Sequence, residues 1–430
     1  MKSPRLLRRC FAFCFVAVLS TAALRPAGNT SAATEASVTA AGFSTERLHR
    51  LDAVIEDEIA RHQLAGGIMY IARDGKPVQF KTYGQQDIEN SQPMRADAIF
   101  RIASMSKAVT TTAVMMLYEE GKFMLKDPIS KYIPAFANPV VAVPPSPGSP
   151  EGTPFTTEKA SRPITIRDLL SHTSGISYGY GPAAAAYKDA GFTSWYILGN
   201  DETIEQVVNR IASLPLNAQP GEKWIYGYST DVLGRLVEVI SGQPLDKFVE
   251  ERITKPLGMR DTSYFLPPEK AGRLANVYGL EDGRLVLKET AAKSDFIQGP
   301  RKCFSGGAGM LSTTQDYARL LQMFLNGGEL DGVRLLSPKT IELMHANHTG
   351  DKYLGEGDGF GLGFWVSVHQ GKIGEIGSEG AYGWGSAYFP QYVVDPKERL
   401  VILFMTQLAP AGSSNLNHRV KQLTYQALIK

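Results

Sequence analysis

Phe100-Arg101-Ile102-Ala103-Ser104-Met105-Ser106-Lys107 runs on into Ala108-Val109-Thr110-Thr111-Thr112-Ala113-Val114-Met115-Met116-Leu117-Tyr118-Glu119-Glu120-Gly121, and the chain is organised around this stretch. Ser104 suits the N-cap of a helix, the apolar residues after it cover most sides, and Gly121 suits its end. A helix apolar nearly all round is buried. Ser104 and Lys107 are three apart and share a face at its first turn. An ammonium is costly to desolvate there, which favours the neutral amine that takes a proton from a serine hydroxyl. The unpaired N–H groups and dipole of a helix N-terminus favour the charge that develops when the serine attacks. Ser-x-x-Lys alone is a weak pattern, satisfied by a capping serine and a snorkelling lysine. It occurs once in the chain, at the start of its most apolar helix.

The 430 residues are 43% hydrophobic and 20% charged, which fits an ordinary globular protein with a sizeable core. Lys2, Arg5, Arg8 and Arg9 precede an apolar run from Cys10 to Leu24, followed by small residues, the layout of a secretory signal peptide. The run is short for a membrane span and no later stretch is longer, so no stable span is expected after signal removal. Cys10 and Cys14 fall in the signal, which leaves Cys303 unpaired. An exported protein without disulfides suits a bacterial periplasm, or secretion. The formal net charge of +2 falls close to neutral once the basic signal residues are gone, giving nucleic acid nothing to bind. The oligomeric state is open.

Residues 1–33 are expected to be the signal and the start of a tether, 34–43 the rest of that tether, and 44–430 a single catalytic domain. Thr45 to His62 has apolar residues at helical spacing. Gly67 to Ala72 and Val78 to Tyr83 flank Asp74-Gly75, a hairpin signal. Val140 to Arg162 is rich in Pro, Ser, Gly and Thr and reads as a long loop. Helical patterns cover Ile164 to Leu170, Thr203 to Leu214, Thr230 to Ser241, Leu245 to Ile253 and Thr313 to Asn326. Phe360 to Val368, Lys372 to Gly377, Ala387 to Val394 and Leu400 to Thr406 read as strands, with a last helix from about Asn415 to Ile429. Strands at both ends and helices between predict an α+β fold: one antiparallel sheet from residues 44–103 and 300–430, and a mainly helical region over 104–299.

Two further clusters carry chemistry. Trp224-Ile225-Tyr226-Gly227-Tyr228 lies in a Gly-rich turn before a helix, and a tyrosine beside a cation can act as a base. Gly380-Ala381-Tyr382-Gly383-Trp384-Gly385-Ser386-Ala387 has the small residues that let backbone N–H groups approach a ligand.

From about residue 44 to the C-terminus the chain resembles the serine β-lactamase and penicillin-recognising superfamily, in its class C β-lactamase-like branch and nearest the family VIII carboxylesterases. The resemblance rests on Ser104-Met105-Ser106-Lys107, Leu169-Leu170-Ser171-His172-Thr173-Ser174-Gly175-Ile176, Trp224 to Gly234, Lys255-Pro256-Leu257-Gly258-Met259, Gly306-Gly307-Ala308-Gly309-Met310 and Gly383-Trp384-Gly385, in order. It implies a β-lactamase/transpeptidase-like fold and a serine acyl-enzyme without metal or cofactor. Ser104 would be the nucleophile, Lys107 its activator, and Tyr226 the shuttle that protonates the leaving group and then activates water. The backbone N–H groups of Ser104 and Ala387 would form the oxyanion hole. Trp224-x-Tyr226 ahead of Asp231-Val232-Leu233-Gly234 places Tyr226 rather than Tyr228 in the tyrosine role.

The chain departs from the penicillin-directed pattern at two places. Tyr228 stands where those enzymes carry Asn, and Trp384-Gly385-Ser386 stands where they carry Lys-Thr-Gly or His-Ser-Gly. Without a cation there, a carboxylate-bearing substrate loses its partner. A neutral short-chain ester lying against Tyr228, Trp384, Gly385, Ser386 and Ala387 fits better, which makes a carboxylesterase the expected activity. A β-lactamase, a D-amino acid peptidase or a slowly deacylating β-lactam-binding protein is the alternative. Three competing signals are set aside. Gly175-Ile176-Ser177-Tyr178-Gly179 matches a nucleophile elbow but lacks the strand before it, so Ser177 is expected in a loop near the cleft rim. His345 and His348 have no third metal ligand near them in sequence. His172 is expected to structure a helix end beside Asp168 rather than serve as a base.

Overall fold

Asp74 and Gly75 both adopt positive φ, 51° and 73°, which is what a two-residue primed turn requires. This turn joins strand β1, Gly66–Arg73, to strand β2, Lys76–Asp87, with Arg73 opposite Lys76. On its other edge β1 pairs antiparallel with Leu400–Thr406, from Gly67 opposite Thr406 to Arg73 opposite Leu400. An N-terminal strand therefore zips against one near the C-terminus. The eight-stranded sheet continues outward from Leu400–Thr406 through Gln391–Asp395, Tyr382–Gly385, Trp365–Ser367 and Asp358–Phe360, and beyond β2 to Gln92–Pro93. This is the antiparallel sheet built from both chain ends, with helices against it, that the sequence predicts.

Leu400–Thr406 is buried at all seven positions, as a strand covered on both faces must be. Leu400, Ile402 and Phe404 face Leu51 and Ile55 of the helix Thr45–Ala60 and Val420 of the helix Leu416–Gln426. Val401, Leu403 and Met405 face the larger core that holds the helices Ser106–Glu119 and Thr314–Leu325. The computed structural model describes Met1 and residues 34–145, 154–199 and 201–430, and the expected signal peptide lies outside them. The described residues from 34 to 430 cluster as one compact unit. No described helix is long and apolar enough to cross a membrane.

Four expectations need correction. Residues 34–43 are not a tether: Thr34 caps a helix Glu35–Ala40, and Val38 and Phe43 bury in the same core as Leu51. The expected loop over 140–162 contains a two-stranded sheet in which Val140–Val143 pairs with Thr156–Lys159 through β-branched residues. Lys372 to Gly377 forms no strand, because Gln370–Ile373 is a helical turn that Gly374 ends at φ 71°. The middle of the chain also holds a hairpin, Val277–Glu281 with Arg284–Glu289, turned by Asp282-Gly283 at φ 48° and 74°.

Arg101 lies at the end of the strand Ile99–Arg101 and is fully buried. Its guanidinium donates to Glu289 Oε1 at 2.8 and 3.0 Å and to the Ala275 carbonyl at 2.7 Å, tying the strand before Ser104 to the hairpin. Removing one partner of a buried pair leaves an uncompensated charge, which costs about 3–5 kcal/mol. Glu289→Ala is expected to lower unfolding stability by about 3 kcal/mol in a urea titration. Arg399→Ala, which breaks an exposed pair with Asp74, should cost less than about 1 kcal/mol. Equal losses would contradict a structural role for the buried pair.

Candidate active site

Ser104 is delivered by a short strand and a tight turn. Ile99–Arg101 pairs with Leu311–Thr313, and the Ile102 N–H donates to the Met310 carbonyl at 3.0 Å. The chain then makes a 3₁₀ turn, Ala103–Met105, and enters the helix Ser106–Glu119 with Met105 at the cap. Ser104 is thus not the N-cap of that helix, as expected from sequence, and its hydroxyl makes no capping bond. Ala103 holds φ at 34°, a left-handed conformation that costs on the order of 1–3 kcal/mol for a residue with a Cβ. Packing of its methyl with Val277, Ala308 and Tyr388 offsets that cost. Twelve consecutive helix residues, Ser106 to Leu117, are buried, so Lys107 starts from a rigid, dry element.

Lys107 is 1% exposed. Its Nζ donates to the Gly307 carbonyl at 2.8 Å, to the Tyr178 hydroxyl at 3.1 Å and to Ser104 Oγ at 3.4 Å. The Tyr226 hydroxyl donates to Ser104 Oγ at 2.8 Å and accepts from Trp384 Nε1 at 3.2 Å. The Tyr226 ring stacks on Trp224, with 5.6 Å between centroids and 10° between planes, and its centroid is 4.9 Å from that of His172. Gly227 is required beside it, because a Cβ there would come within 2.2 Å of the Ile176 carbonyl oxygen. One hydroxyl therefore has two proton-handling groups on it, on elements far apart in sequence. The arrangement can take the proton from a serine attacking a carbonyl and return it to a leaving group. Ser104 and Ala387 both line the cleft, and among the described residues neither backbone N–H has a backbone acceptor. Both are free to meet an oxyanion.

Two residues behind this pair escape the sequence reading. Asp231 is buried, and its Oδ1 accepts from Ser305 Oγ at 2.6 Å and from the Gly307 N–H at 3.1 Å. It thereby holds the glycine whose carbonyl receives Lys107. Burial pushes the Asp231 carboxyl above the usual range, against the bonds from Ser305 and Gly307 and the nearby Lys107. Tyr178 bonds Lys107 directly, and burial among Tyr226, Asp231 and Tyr228 raises its phenol well above the ordinary value, which keeps it protonated. Its sequence signal was the hydroxyl next to Ser177, inside the segment read as an accidental elbow.

The cleft above Ser104 has a volume of about 430 Å³ and is walled by Tyr178, Trp195, Tyr226, Trp365 and Trp384, with Gly385, Ser386 and Ala387 along one edge. Trp384 and Gly385 belong to the strand Tyr382–Gly385, and Ser386 begins the turn that returns to Gln391–Asp395. Tyr228 does not line the cleft. It is fully buried behind Tyr178, with ring centroids 4.6 Å apart, and its hydroxyl donates to the Ser194 carbonyl at 2.5 Å. Two residues after Tyr226, at the start of the helix Ser229–Ser241, its side chain enters the core. Ser177 is likewise buried rather than at the rim, its Oγ bonded to the Tyr180 carbonyl at 3.3 Å and the Gly179 N–H at 3.1 Å.

His172 follows the short helix Ile166–Leu170 and packs against Trp224, Tyr226 and Phe360, with no partner on its buried Nδ1. Asp168 is held instead by Arg162, at 2.6 and 2.9 Å, and by Thr165. Desolvation first, and Lys107 second, lower the His172 pKa well below its ordinary value. Folding then keeps it neutral, while the unfolded chain takes up a proton below about pH 6.5. The stability His172 contributes is full above that pH and is lost as pH falls towards the folded value. Wild type is expected to lose more of its melting temperature between pH 7.5 and pH 5.5 than His172→Asn, and an equal loss would count against this cause. His345 stacks on Tyr382 at 4.8 Å, and His348 Nε2 meets the Leu343 carbonyl at 2.9 Å. No group of metal-ligating side chains occurs among the described residues.

The family model of the β-lactamases matches residues 51–426. Esterase EstB of Burkholderia gladioli is 30% identical over 382 residues, covering 85% of this chain and 91% of that protein. N-acetylmuramyl-L-alanine amidase of Bacillus subtilis is 29% identical, covering 92% of this chain and 90% of its own. Among solved structures, EstCE1, described as a hydrolase with promiscuous acyltransferase activity, superposes with a TM-score of 0.75 at 26% identity, over 89% of this chain and 98% of its own. With the Ser-x-x-Lys helix at the junction of such a sheet and a helical region, the chain belongs to the β-lactamase family and is a serine hydrolase.

Proposed function

We propose that the protein is a carboxylesterase acting on neutral esters through an acyl-enzyme on Ser104. The observation that carries this reading is the cleft lining: none of the residues around its 430 Å³ is charged, and Trp384-Gly385-Ser386 occupies the edge where a penicillin-directed enzyme places a cation. A substrate carboxylate entering this cleft would be desolvated without a partner, whereas an uncharged ester gains by burying apolar surface. The esterase among the relatives supports the same choice.

In the reaction proposed, Ser104 Oγ bonds to the acyl carbon as its proton passes to the Lys107–Tyr226 pair. The oxyanion is held by the N–H groups of Ser104 and Ala387. Tyr226 returns the proton to the departing alkoxide, and the ester C–O bond breaks. Water activated by Tyr226 then attacks the acyl-enzyme, releasing the acid and restoring Ser104. We also propose that a signal peptide within residues 1–33 directs export, to the periplasm or beyond, and is removed.

Initial rates on p-nitrophenyl butyrate and a chromogenic cephalosporin, measured side by side, test the substrate class. The ester is expected to give the higher kcat/KM by about 100-fold or more, the size of effect an unpaired buried charge produces. Faster cephalosporin turnover would replace the esterase reading with the β-lactamase one.

A further inference from the structure

The turn that delivers Tyr226 to Ser104 also holds a second segment that lines the cleft. Tyr228 lies two residues on, and its buried hydroxyl finds its one bond at the carbonyl of Ser194. Ser194 begins a strap, Ser194 to Leu198, that carries Trp195 into the cleft lining. The strap is held at three further points. The Phe192 ring packs against Tyr228 at 5.2 Å, the Tyr196 hydroxyl donates to Asp295 Oδ2 at 3.2 Å, and Ile197 and Leu198 are buried. The Trp195 ring itself meets Tyr196 and Tyr388 edge-on, each at 5.7 Å. None of these contacts is made by a helix or strand backbone, so side chains set where Trp195 stands.

We propose that Tyr228 is a positioning residue for specificity: by bonding the Ser194 carbonyl it sets Trp195 in the wall of the cleft that Trp384 also lines, shaping that cleft for a flat, uncharged aryl group on the substrate. This deepens, and rests on, the reading of the site as an ester hydrolase. An aryl-bearing ester is the substrate class such a cleft selects, since stacked or edge-on aromatic contacts reward a planar group beyond its area. The hydroxyl also couples wall and catalytic turn, because Tyr226 and Tyr228 share one short turn with Gly227 pinned between them.

The test compares a matched pair of ligands. Methyl benzoate and methyl acetate, which differ on the acyl side, are followed by pH-stat, and phenylboronic and methylboronic acids, which engage a serine hydroxyl without turnover and carry the same groups on the acyl side, are titrated by tryptophan fluorescence. Tyr228→Phe, which removes one oxygen, is expected to lower the phenyl-to-methyl preference about tenfold in both assays, with the ester effect falling on KM rather than kcat. Trp195→Ala should lower it at least as far, and adding Tyr228→Phe to that variant should lower it little more, since both act through one contact. A preference unchanged in Tyr228→Phe, or a loss in kcat shared equally by the two esters, overturns the proposal. Boronic acid preference that shifts as expected while wild type cleaves neither ester would sink the esterase reading and leave the role of Tyr228 standing.

Discussion

Ser104→Ala is expected to lower turnover of p-nitrophenyl butyrate by about 10,000-fold or more, because losing a nucleophile leaves only the contribution of binding and oxyanion contacts. The geometry makes Ser104 the serine to remove. Its Oγ lies 2.8 Å from the Tyr226 hydroxyl and 3.4 Å from Lys107 Nζ, and it lines the cleft. Ser177, the rival that the Gly-x-Ser-x-Gly pattern offers, is buried, with its hydroxyl spent on the turn at Gly179 and Tyr180. Ser177→Ala should therefore lose less than about tenfold, the scale of a local packing change. Reversal of these two losses, measured as kcat/KM on folded protein, would move the nucleophile to Ser177.

Tyr226→Phe should lower kcat by about 1,000-fold, within the range that general acid and base groups supply. Phenylalanine keeps the stack on Trp224 and the contact with His172 but removes the oxygen that joins Ser104 to Trp384 Nε1. Because p-nitrophenoxide departs without a proton and Lys107 still adjoins Ser104, acylation should suffer less than the water attack, so the acyl-enzyme should build up and a burst of p-nitrophenol equal to the enzyme concentration should precede a slow steady rate. Tyr228→Phe gives no such burst, since its hydroxyl reaches the strap and not the serine. A burst in Tyr228→Phe and none in Tyr226→Phe would mean that the tyrosine role had been read two residues out of register.

Much of the fold is legible because the deciding signals are local. Asp74-Gly75 demands a primed turn, and Leu400 to Met405 is an unbroken apolar run because the strand is covered on both faces. Asp282-Gly283 carries the same turn signal as Asp74-Gly75, but the strands beside it are short, with Val277–Glu281 broken by Gly279 and Arg284–Glu289 only partly buried, so their sequence gives no clear strand pattern. The tether expectation failed for a related reason. A short alanine-rich helix has little apolar pattern of its own, and its stability comes from Val38 and the following Phe43 in a core completed by residues near 400 and 420.

The candidate site divides in the same way. Ser104, Lys107, Tyr226 and Trp384 sit in motifs with fixed internal spacing, and the structure brings all four together. Tyr178, Asp231 and Trp195 do their work through contacts that no spacing encodes: a phenol on Lys107, a carboxylate behind Gly307, and a strap held by a tyrosine from another segment. Tyr228 leaves the cleft although its position on the motif, where penicillin-directed enzymes carry Asn, points to substrate. Only the start of the helix Ser229–Ser241 decides that it turns inward.

The most direct measurement is intact-protein and peptide mass spectrometry of Tyr226→Phe quenched in acid seconds after mixing with p-nitrophenyl butyrate. One butyryl group per chain, on the peptide that contains Ser104, is the predicted result. An unmodified chain during turnover, or a butyryl group on any other residue, would contradict an acyl-enzyme at Ser104.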